Sequence, residues 1–328
     1  LKGSRGDPFK NYPSARRSAR RKGYPGRKQE KTMLELHCHT THSDGTLTPA
    51  QLVEAAIAAG VSILAITDHD TVSGWDEAFA SAEQRPIEIV PGLELSTVWN
   101  ERSMHILGFY PDRDKLEQPL QERLAGRRRR ASLMVEKLAA LGYPIELQPM
   151  RGNMAPGRPH VAAALVKAGY VQSSQEAFER WLGDDRPAYV EYEKFSAIEG
   201  IQLLRECGAV PVWAHPYLFR GGDVEAVLPE LVAAGLLGLE VYHPTHTPTQ
   251  TRALEAFCQQ YGLLMTGGSD YHGTKAGEKD DRHTNLNQLH LSDRFLAPIQ
   301  KAAFDLRLPT SELVTSELVT LELSPPQR

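Results

Sequence analysis

Three observations predict an α/β fold built on a largely parallel sheet. First, one unit recurs four times: an apolar-faced helix ending in glycine, an apolar strand of five to seven residues, and a polar cluster. Second, the strands are near-continuous apolar runs, as expected of strands covered by helices on both faces. Third, each strand finishes on His, Asp or Glu, and polar residues at C-terminal strand ends converge on one rim in α/β barrels. Periodicity alone leaves a closed barrel and an open doubly wound sheet both standing. No GxGxxG follows a strand, which weighs against dinucleotide binding.

The elements follow in order. A first strand is predicted over Leu34 to His39, then the first repeat: helix Pro49 to Gly60, strand Val61 to Thr67 and the cluster Asp68-His69-Asp70. Thr48 caps that helix, with Gln51 as its capping-box partner and Pro49 at the first helical position. Strands Ile87 to Leu93 and Met104 to Tyr110 come next. The later repeats are Ser196 to Gly208 with Ala209 to Ala214, Val224 to Gly235 with Leu236 to Tyr242, and Pro248 to Gly262 with Leu263 to Gly267. These end on His215-Pro216, His243-Pro244 and Ser269-Asp270-Tyr271-His272 respectively. Between 112 and 185 the pattern changes to charged helices over Lys115 to Leu141, Arg158 to Ala168 and Ser174 to Leu182 without an apolar strand. The organisation expected is a basic leader (1–32), a barrel in two parts (33–111 and 186–303), a helical insertion over the rim (112–185) and a low-complexity tail (304–328). Arg127 to Arg130 read either as a solvated helix face or as a groove for phosphates.

Composition narrows the classes. The hydrophobic share of 41% and charged share of 24% are those of a globular protein. Three separated cysteines outside any CxxC pattern fit a reducing compartment, and no apolar run nears the roughly 18 residues of a membrane span. A cytoplasmic protein without a membrane or an obligate protein partner is expected. Residues 1–32 carry 11 Lys/Arg against 2 Asp/Glu, so the remainder is acidic. The leader reads as disordered, with Met33, directly before the first strand, as the expected natural start. The acidic body suits carboxylates gathered round cations.

His37-Cys38-His39 lies on the first strand, and alternation turns both imidazoles to one face and Cys38 to the other. Two imidazoles so placed can share a metal ion, although such a pair is a common accident among twelve histidines. The case rests on accumulation. Asp44 stands in a turn, Asp68, His69 and Asp70 end a strand, Glu94 ends another, and His105, His215, Asp270 and His272 complete the series. Imidazoles and carboxylates without thiolates suit Mn²⁺, Fe²⁺, Zn²⁺ or Mg²⁺. Two such ions about 3.5–4 Å apart clamp a phosphoryl group and acidify a shared water.

The series His37-x-His39, Asp44, Thr67-Asp68-His69, Glu94, His105, Ala214-His215-Pro216 and Ser269-Asp270-x-His272 resembles the polymerase-and-histidinol-phosphatase (PHP) family, in order, over nearly all of 33–303. The resemblance implies a distorted (β/α)7 barrel with two or three divalent ions, Mn²⁺ foremost. It implies His37, His39, Glu94 and Asp270 at a first ion, Glu94, His105 and His215 at a second, and Asp44, His69 and His272 at a third. Asp68 is implied as an orienting residue, and Glu94, Asp68 and His215 as the catalytic group. Gly157-Arg158-Pro159-His160 and Glu240-Val241-Tyr242-His243-Pro244 resemble the branch acting on nucleoside 3′,5′-bisphosphates, some members of which trim short RNA from the 5′ end. Arg158, His160 and His243 are thereby expected to hold substrate phosphates. The expected activity is removal of the 3′-phosphate from a small nucleotide, with 5′→3′ exoribonuclease action on short RNA as the alternative. Histidinol-phosphate hydrolysis and a non-catalytic metal-binding module are weaker rivals.

Overall fold

The computed structural model describes residues 32–148, 155–183, 185–191, 195–273 and 285–308. The leader and the tail beyond 308 lie outside these residues. Eight strands form one sheet in the order β7-β6-β5-β4-β3-β2-β1-β8. They are β1 (Met33–Glu35), β2 (Ile63–Ile66), β3 (Glu88–Trp99), β4 (Arg102–Phe109), β5 (Val210–Trp213), β6 (Gly238–Tyr242), β7 (Leu264–Gly267) and β8 (Leu291–Ser292). The ends meet: Cys38, beyond β1, forms a parallel bridge with Tyr271, beyond β7. His39 N–H donates to the Tyr271 carbonyl at 2.9 Å and Tyr271 N–H to that of His37 at 3.3 Å. The sheet is therefore a nearly closed, distorted barrel of seven strands, with short β8 antiparallel on the outer end of β1.

Eight of the nine α-helices among the described residues are α1 (Pro49–Ala58), α2 (Trp75–Ala82), α3 (Arg113–Ala140), α4 (Arg158–Lys167), α5 (Ser174–Ala177), α6 (Ala197–Glu206), α7 (Val224–Ala233) and α8 (Pro248–Tyr261). The ninth, α9 (Leu296–Asp305), joins Ile63, Phe109 and Val210 in one buried cluster. The expected cap of α1 is present: Gln51 N–H donates to Thr48 Oγ1 at 3.3 Å and Thr48 N–H to Gln51 Oε1 at 2.9 Å. The sequence reading did not anticipate α2, α9 or β8. Trp75 fixes α2 by burying its ring and donating its indole N–H to the Gly92 carbonyl at 2.9 Å.

Within the seven-stranded barrel, one strand departs from the parallel expectation. β4 runs antiparallel to both β3 and β5. The cause is the two-residue turn Asn100-Glu101, where both residues take positive φ (46° and 61°), as mirror-image hairpin turns require. Reversal has a consequence for the site. Because β4 enters where its neighbours finish, His105, near the start of β4, reaches the same rim as the ends of the parallel strands.

Alternation decides what faces inward. On β3, Ile89, Leu93 and Leu95 join the larger cluster, which includes helix residues such as Leu52, Trp75 and Ile201, whereas Val90 joins the other. Glu94 shares the parity of Val90. His105 likewise shares the parity of Leu107, and Glu240 alternates with Leu239 and Val241, which pack outward. Segments α3 to α5 pack round a third cluster that includes Met134, Leu138, Val161, Leu165 and Leu182. The N-terminal part of α3 adds Leu116 and Leu120 to the barrel's own core. No helix among the described residues is long and apolar enough to cross a membrane.

Candidate metal centre

The rim is assembled by close backbone approach. A Cβ at Gly268 would fall on His37, so only glycine lets the β7 end pass close enough to deliver Asp270. Gly45 plays the same part against His39 in the turn that carries Asp44. That turn is stapled by Asp68. Its Oδ1 accepts from Thr40 N–H and Ser43 Oγ, and its Oδ2 from Thr40 Oγ1, each at 2.7 Å. Ser43 Oγ in turn lies 3.4 Å from His39 Nδ1. Asp68 thus acts on the site through Thr40 and Ser43. Asp70, His215 and Asp270 all adopt positive φ (52°, 31° and 54°), a conformation costly for non-glycine residues and concentrated at functional sites.

The structure brings all nine predicted ligands together. Glu94, 1% exposed, is their centre. Its Oε2 lies 3.2 Å from His37 Nε2, 3.2 Å from His39 Nε2 and 3.3 Å from His69 Nδ1. Its Oε1 lies 2.9 Å from His105 Nδ1 and 3.1 Å from His215 Nε2. Asp270 Oδ1 stands 3.4 Å from His37 Nε2 and 3.1 Å from His39 Nε2. Asp44 Oδ1 stands 3.2 Å from His272 Nε2 and its Oδ2 3.9 Å from His69 Nε2. Three sets of converging donors result: His37, His39, Glu94 and Asp270; His69, Glu94 and His105; and His39, Asp44, His69 and His272.

These donors fit divalent cations. His37 Nε2, His39 Nε2, His69 Nδ1, His105 Nδ1, His272 Nε2 and Glu94 Oε2 are buried without a hydrogen-bond partner among the described residues. The opposite ring nitrogens of four of these histidines are held: His37 Nδ1 by Glu240 (2.9 Å), His39 Nδ1 by Ser43, His105 Nε2 by Ser103 (3.1 Å) and His272 Nδ1 by the Asp270 carbonyl (2.7 Å). A ring anchored on one nitrogen with the other aimed inward is how metal-binding histidines are held. Buried donors left unpaired are costly, and an ion removes that cost.

Without cations the electrostatics are those of carboxylates compensated by protons. Burial opposes the His37 imidazolium, but Glu240, Glu94 and Asp270 together hold its pKa well above the ordinary value. At His39 burial is again overcome, by Asp270 and Glu94, and the pKa rises to about 10. At His69 burial, reinforced by His39 and His105, outweighs Glu94 and lowers it to about 4. Against the effect of burial, the surrounding histidines hold the Glu94 and Asp270 carboxyls well below the usual range.

His243 is 4% exposed and stands beside the cluster, its Nε2 3.9 Å from Asp270 Oδ2 and its Nδ1 2.8 Å from Thr245 Oγ1. Arg158 and His160 lie at the start of α4. Arg158 donates to the Leu182 carbonyl at 3.5 Å and lies 5.7 Å from the Phe178 ring and 5.8 Å from that of Tyr189. His160 Nδ1 accepts from Gly157 N–H at 3.0 Å and caps its own helix.

Three features escaped the sequence reading. Glu240 is fully buried inside the barrel. Glu35 is also buried; its carboxylate accepts from Ser269 N–H (2.6 Å) and Asn287 N–H (3.2 Å), and burial outweighs these bonds to raise its pKa to about 7. The signal available for both was a single Glu in an apolar strand. Thirdly, Asp70 pairs with Arg127 from α3 at 2.6 Å, while Arg123 donates to the Ser96 carbonyl at 2.9 Å and stacks on Phe195. Arg130 donates to the Val190 carbonyl at 2.9 Å. Two of the four consecutive arginines are therefore bonded inward.

Residues 35–149 match the PHP domain. A 5′-3′ exoribonuclease of Haemophilus influenzae is 36% identical over 245 residues, 73% of this chain and 89% of its own length. This chain belongs to the PHP family. A 3′,5′-nucleoside bisphosphate phosphatase of Chromobacterium violaceum is 32% identical over 259 residues, covering 76% of this chain and 91% of its own. The crystal structure of a protein described as a metal-dependent phosphoesterase from Bifidobacterium adolescentis superposes with a TM-score of 0.62 at 32% identity, over 83% of this chain and 98% of that one. This PHP protein is accordingly a metal-dependent phosphoesterase, with a His/Asp/Glu cluster able to bind metal ions.

Proposed function

We propose that this PHP protein hydrolyses the 3′-phosphate of nucleoside 3′,5′-bisphosphates to nucleoside 5′-monophosphate and phosphate, using two or three divalent ions, Mn²⁺ foremost. The observation that carries the reading is Glu94, a buried carboxylate whose two oxygens face five imidazole nitrogens. His37, His39, Glu94 and Asp270 would hold one ion, Glu94, His105 and His215 a second, and Asp44, His69 and His272 a third. Bound there, the cations supply Lewis-acid chemistry: charge neutralisation at the phosphoryl oxygens and greater acidity of water. The chain's residues arrange the reactants. Glu94 shares its charge between subsites, Asp68 fixes the Asp44 turn through Thr40 and Ser43, and the positive-φ backbone of His215 and Asp270 turns their side chains inward. His243, beside Asp270, and Arg158 and His160, on α4, hold the substrate's phosphates. In hydrolysis the oxygen of a water bonds to phosphorus as the bond from phosphorus to the 3′-oxygen breaks, and a proton originating from that water ends on the 3′-oxygen, giving a 3′-hydroxyl and inorganic phosphate. The bisphosphate assignment draws on the Chromobacterium relative.

The Haemophilus relative favours a second reading, 5′→3′ trimming of short RNA at the same cluster. Phosphate and nucleotide release from 3′,5′-bisphosphates, nucleoside monophosphates and 5′-phosphorylated oligoribonucleotides, with each metal supplied, tests both. A kcat/KM for the bisphosphate at least tenfold above the others is expected. A preference for the oligomer overturns the first reading in favour of the second.

A further inference from the structure

Glu240 is the most deeply enclosed carboxylate that this reaction scheme leaves without a role. It is 0% exposed, on β6, between Leu239 and Val241 that pack outward. Its two oxygens go to two different ligand residues. Oε1 lies 2.9 Å from His37 Nδ1, beyond the end of β1, and Oε2 accepts the backbone N–H of His215, beyond the end of β5, at 2.8 Å. Glu240 forms an ion pair with His37, whose other nitrogen, Nε2, faces Glu94 and Asp270. Burying a charged carboxylate is costly unless it is paired and hydrogen-bonded, and both partners here are residues proposed to hold metal.

Each bond has a separate consequence. A carboxylate is an acceptor only, so the hydrogen between His37 and Glu240 sits on Nδ1, and the neutral ring that a cation requires carries its lone pair on Nε2, toward the cluster. At His215 the φ of 31° is strained for a non-glycine residue. The N–H bond to Glu240 holds that backbone in place, and from it His215 Nε2 reaches Glu94 Oε1 at 3.1 Å. In the proposed assignment His37 helps to hold the first ion and His215 the second, its Nε2 facing the same Glu94 Oε1 as His105 Nδ1.

We infer that Glu240 is a positioning residue that couples the two metal subsites, setting the tautomer of His37 and the backbone of His215 with one side chain. The inference rests on the metal-binding part of the proposed function and is indifferent to the substrate. Removing Glu240 weakens both ions together, although Glu240 touches neither.

The test is direct metal binding without substrate: chelator-competition titration of Mn²⁺ on the full chain, parent against Glu240→Gln, with stoichiometry by elemental analysis. Glutamine keeps the size but offers one acceptor oxygen, so at most one of the two bonds survives. Apparent affinity is expected to fall about ten- to a hundredfold for both ions, as for other residues that orient metal ligands. Glu240→Asp, which keeps the charge but shortens the reach, should lie between, and is read in the same way if the glutamine variant does not fold. Metal affinity equal to the parent, with only a lower melting temperature of the metal-free protein, overturns the inference, since that is what a purely structural carboxylate produces. A loss confined to one ion overturns the coupling. Failure of the protein to act on bisphosphates would leave these affinities unmoved and bears on the substrate reading alone.

Discussion

The barrel rim and the α3–α5 segment use polar side chains in opposite ways. At the rim, imidazoles are gripped by one nitrogen and present the other, unpaired, to a common centre. Along α3 and α4, arginines are bound to carbonyls, aromatic faces and one carboxylate: Arg130 to Val190, Arg158 to Leu182 and Phe178, Arg127 to Asp70. The rim presents unpaired donors to a common centre, whereas these arginines are spent on the protein's own packing. The difference places the candidate metal donors at the rim, and the proposed part of the segment in substrate selection rests on Arg158 and His160. Asp70 joins the two, since it follows His69 and pairs with Arg127.

The sharpest way to break this contrast is at its centre. Glu94→Gln keeps the shape but removes the charge that faces His37, His39, His69, His105 and His215. Residues that merely orient ligands cost about ten- to a hundredfold when changed, so a shared ligand should cost more than about a hundredfold in kcat with most bound metal lost. Turnover within about threefold of the parent, a difference of only about 0.7 kcal/mol, would remove Glu94 from the centre.

The segment is probed next. Arg158→Ala should lower kcat/KM for a 3′,5′-bisphosphate by roughly ten- to a hundredfold, the loss of a charge-assisted contact worth about 1.5–3 kcal/mol. A substrate with one phosphate should lose much less. Because Arg158 also packs near Phe178 and Tyr189, melting temperature and metal content are measured alongside. An equal loss on both substrates would move Arg158 to the reacting phosphate, and no loss on either would reduce it to a packing residue of α4.

The rim was far more legible in the sequence than the rest, and for a physical reason. His or carboxylate at the end of an apolar strand is conspicuous, and nine such residues in order are hard to read otherwise. What stayed hidden depended on contacts distant in sequence. Nothing in Asn100-Glu101, which lacks the usual glycine, announced the hairpin that reverses β4. Glu240 entered only as the first residue of a motif and Glu35 not at all, and the burial of both stayed hidden because their partners His37, His215, Ser269 and Asn287 lie far along the chain. The arginines of α3 read as a solvated face or a groove because a helix does not reveal what stands opposite; Asp70 does.

A thermal measurement sharpens the rim further. In metal-free protein His39 has a pKa near 10, against an unfolded value of about 6.5. Its stabilisation is therefore complete below about 6.5 and lost as pH climbs toward about 10. His69, lowered to about 4, works on the other side: the unfolded chain takes up its proton first, so stability falls as pH drops from about 6.5 toward about 4. Metal-free melting temperature should accordingly peak near neutrality and decline on the alkaline side. Mn²⁺ should flatten the alkaline limb, because cations replace the protons. A metal-free Tm that is level or rising between pH 7 and 10 contradicts this charge arrangement.

The smallest effect expected is from deleting residues 1–32, and its size separates the two substrate readings. These residues hold 11 basic and 2 acidic groups, a charge suited to a polyanion but of little use to a mononucleotide already surrounded by the rim. The first strand is anchored without them: Met33 N–H donates to Ser62 Oγ at 3.0 Å, and Ser62 N–H to the Met33 carbonyl at 2.9 Å. Both bonds involve Met33 itself and survive the deletion. Turnover of a 3′,5′-bisphosphate should therefore change by less than about threefold, or about 0.7 kcal/mol, at any salt concentration. The discriminating measurement is the same comparison on a 5′-phosphorylated oligoribonucleotide across a salt series. If the leader contributes to polymer binding, its removal raises KM for the oligomer at low salt and flattens the salt dependence, because fewer counterions are released. A leader that matters for the oligomer but not the mononucleotide would shift the balance toward the exoribonuclease reading, with the cluster round Glu94 serving either substrate unchanged.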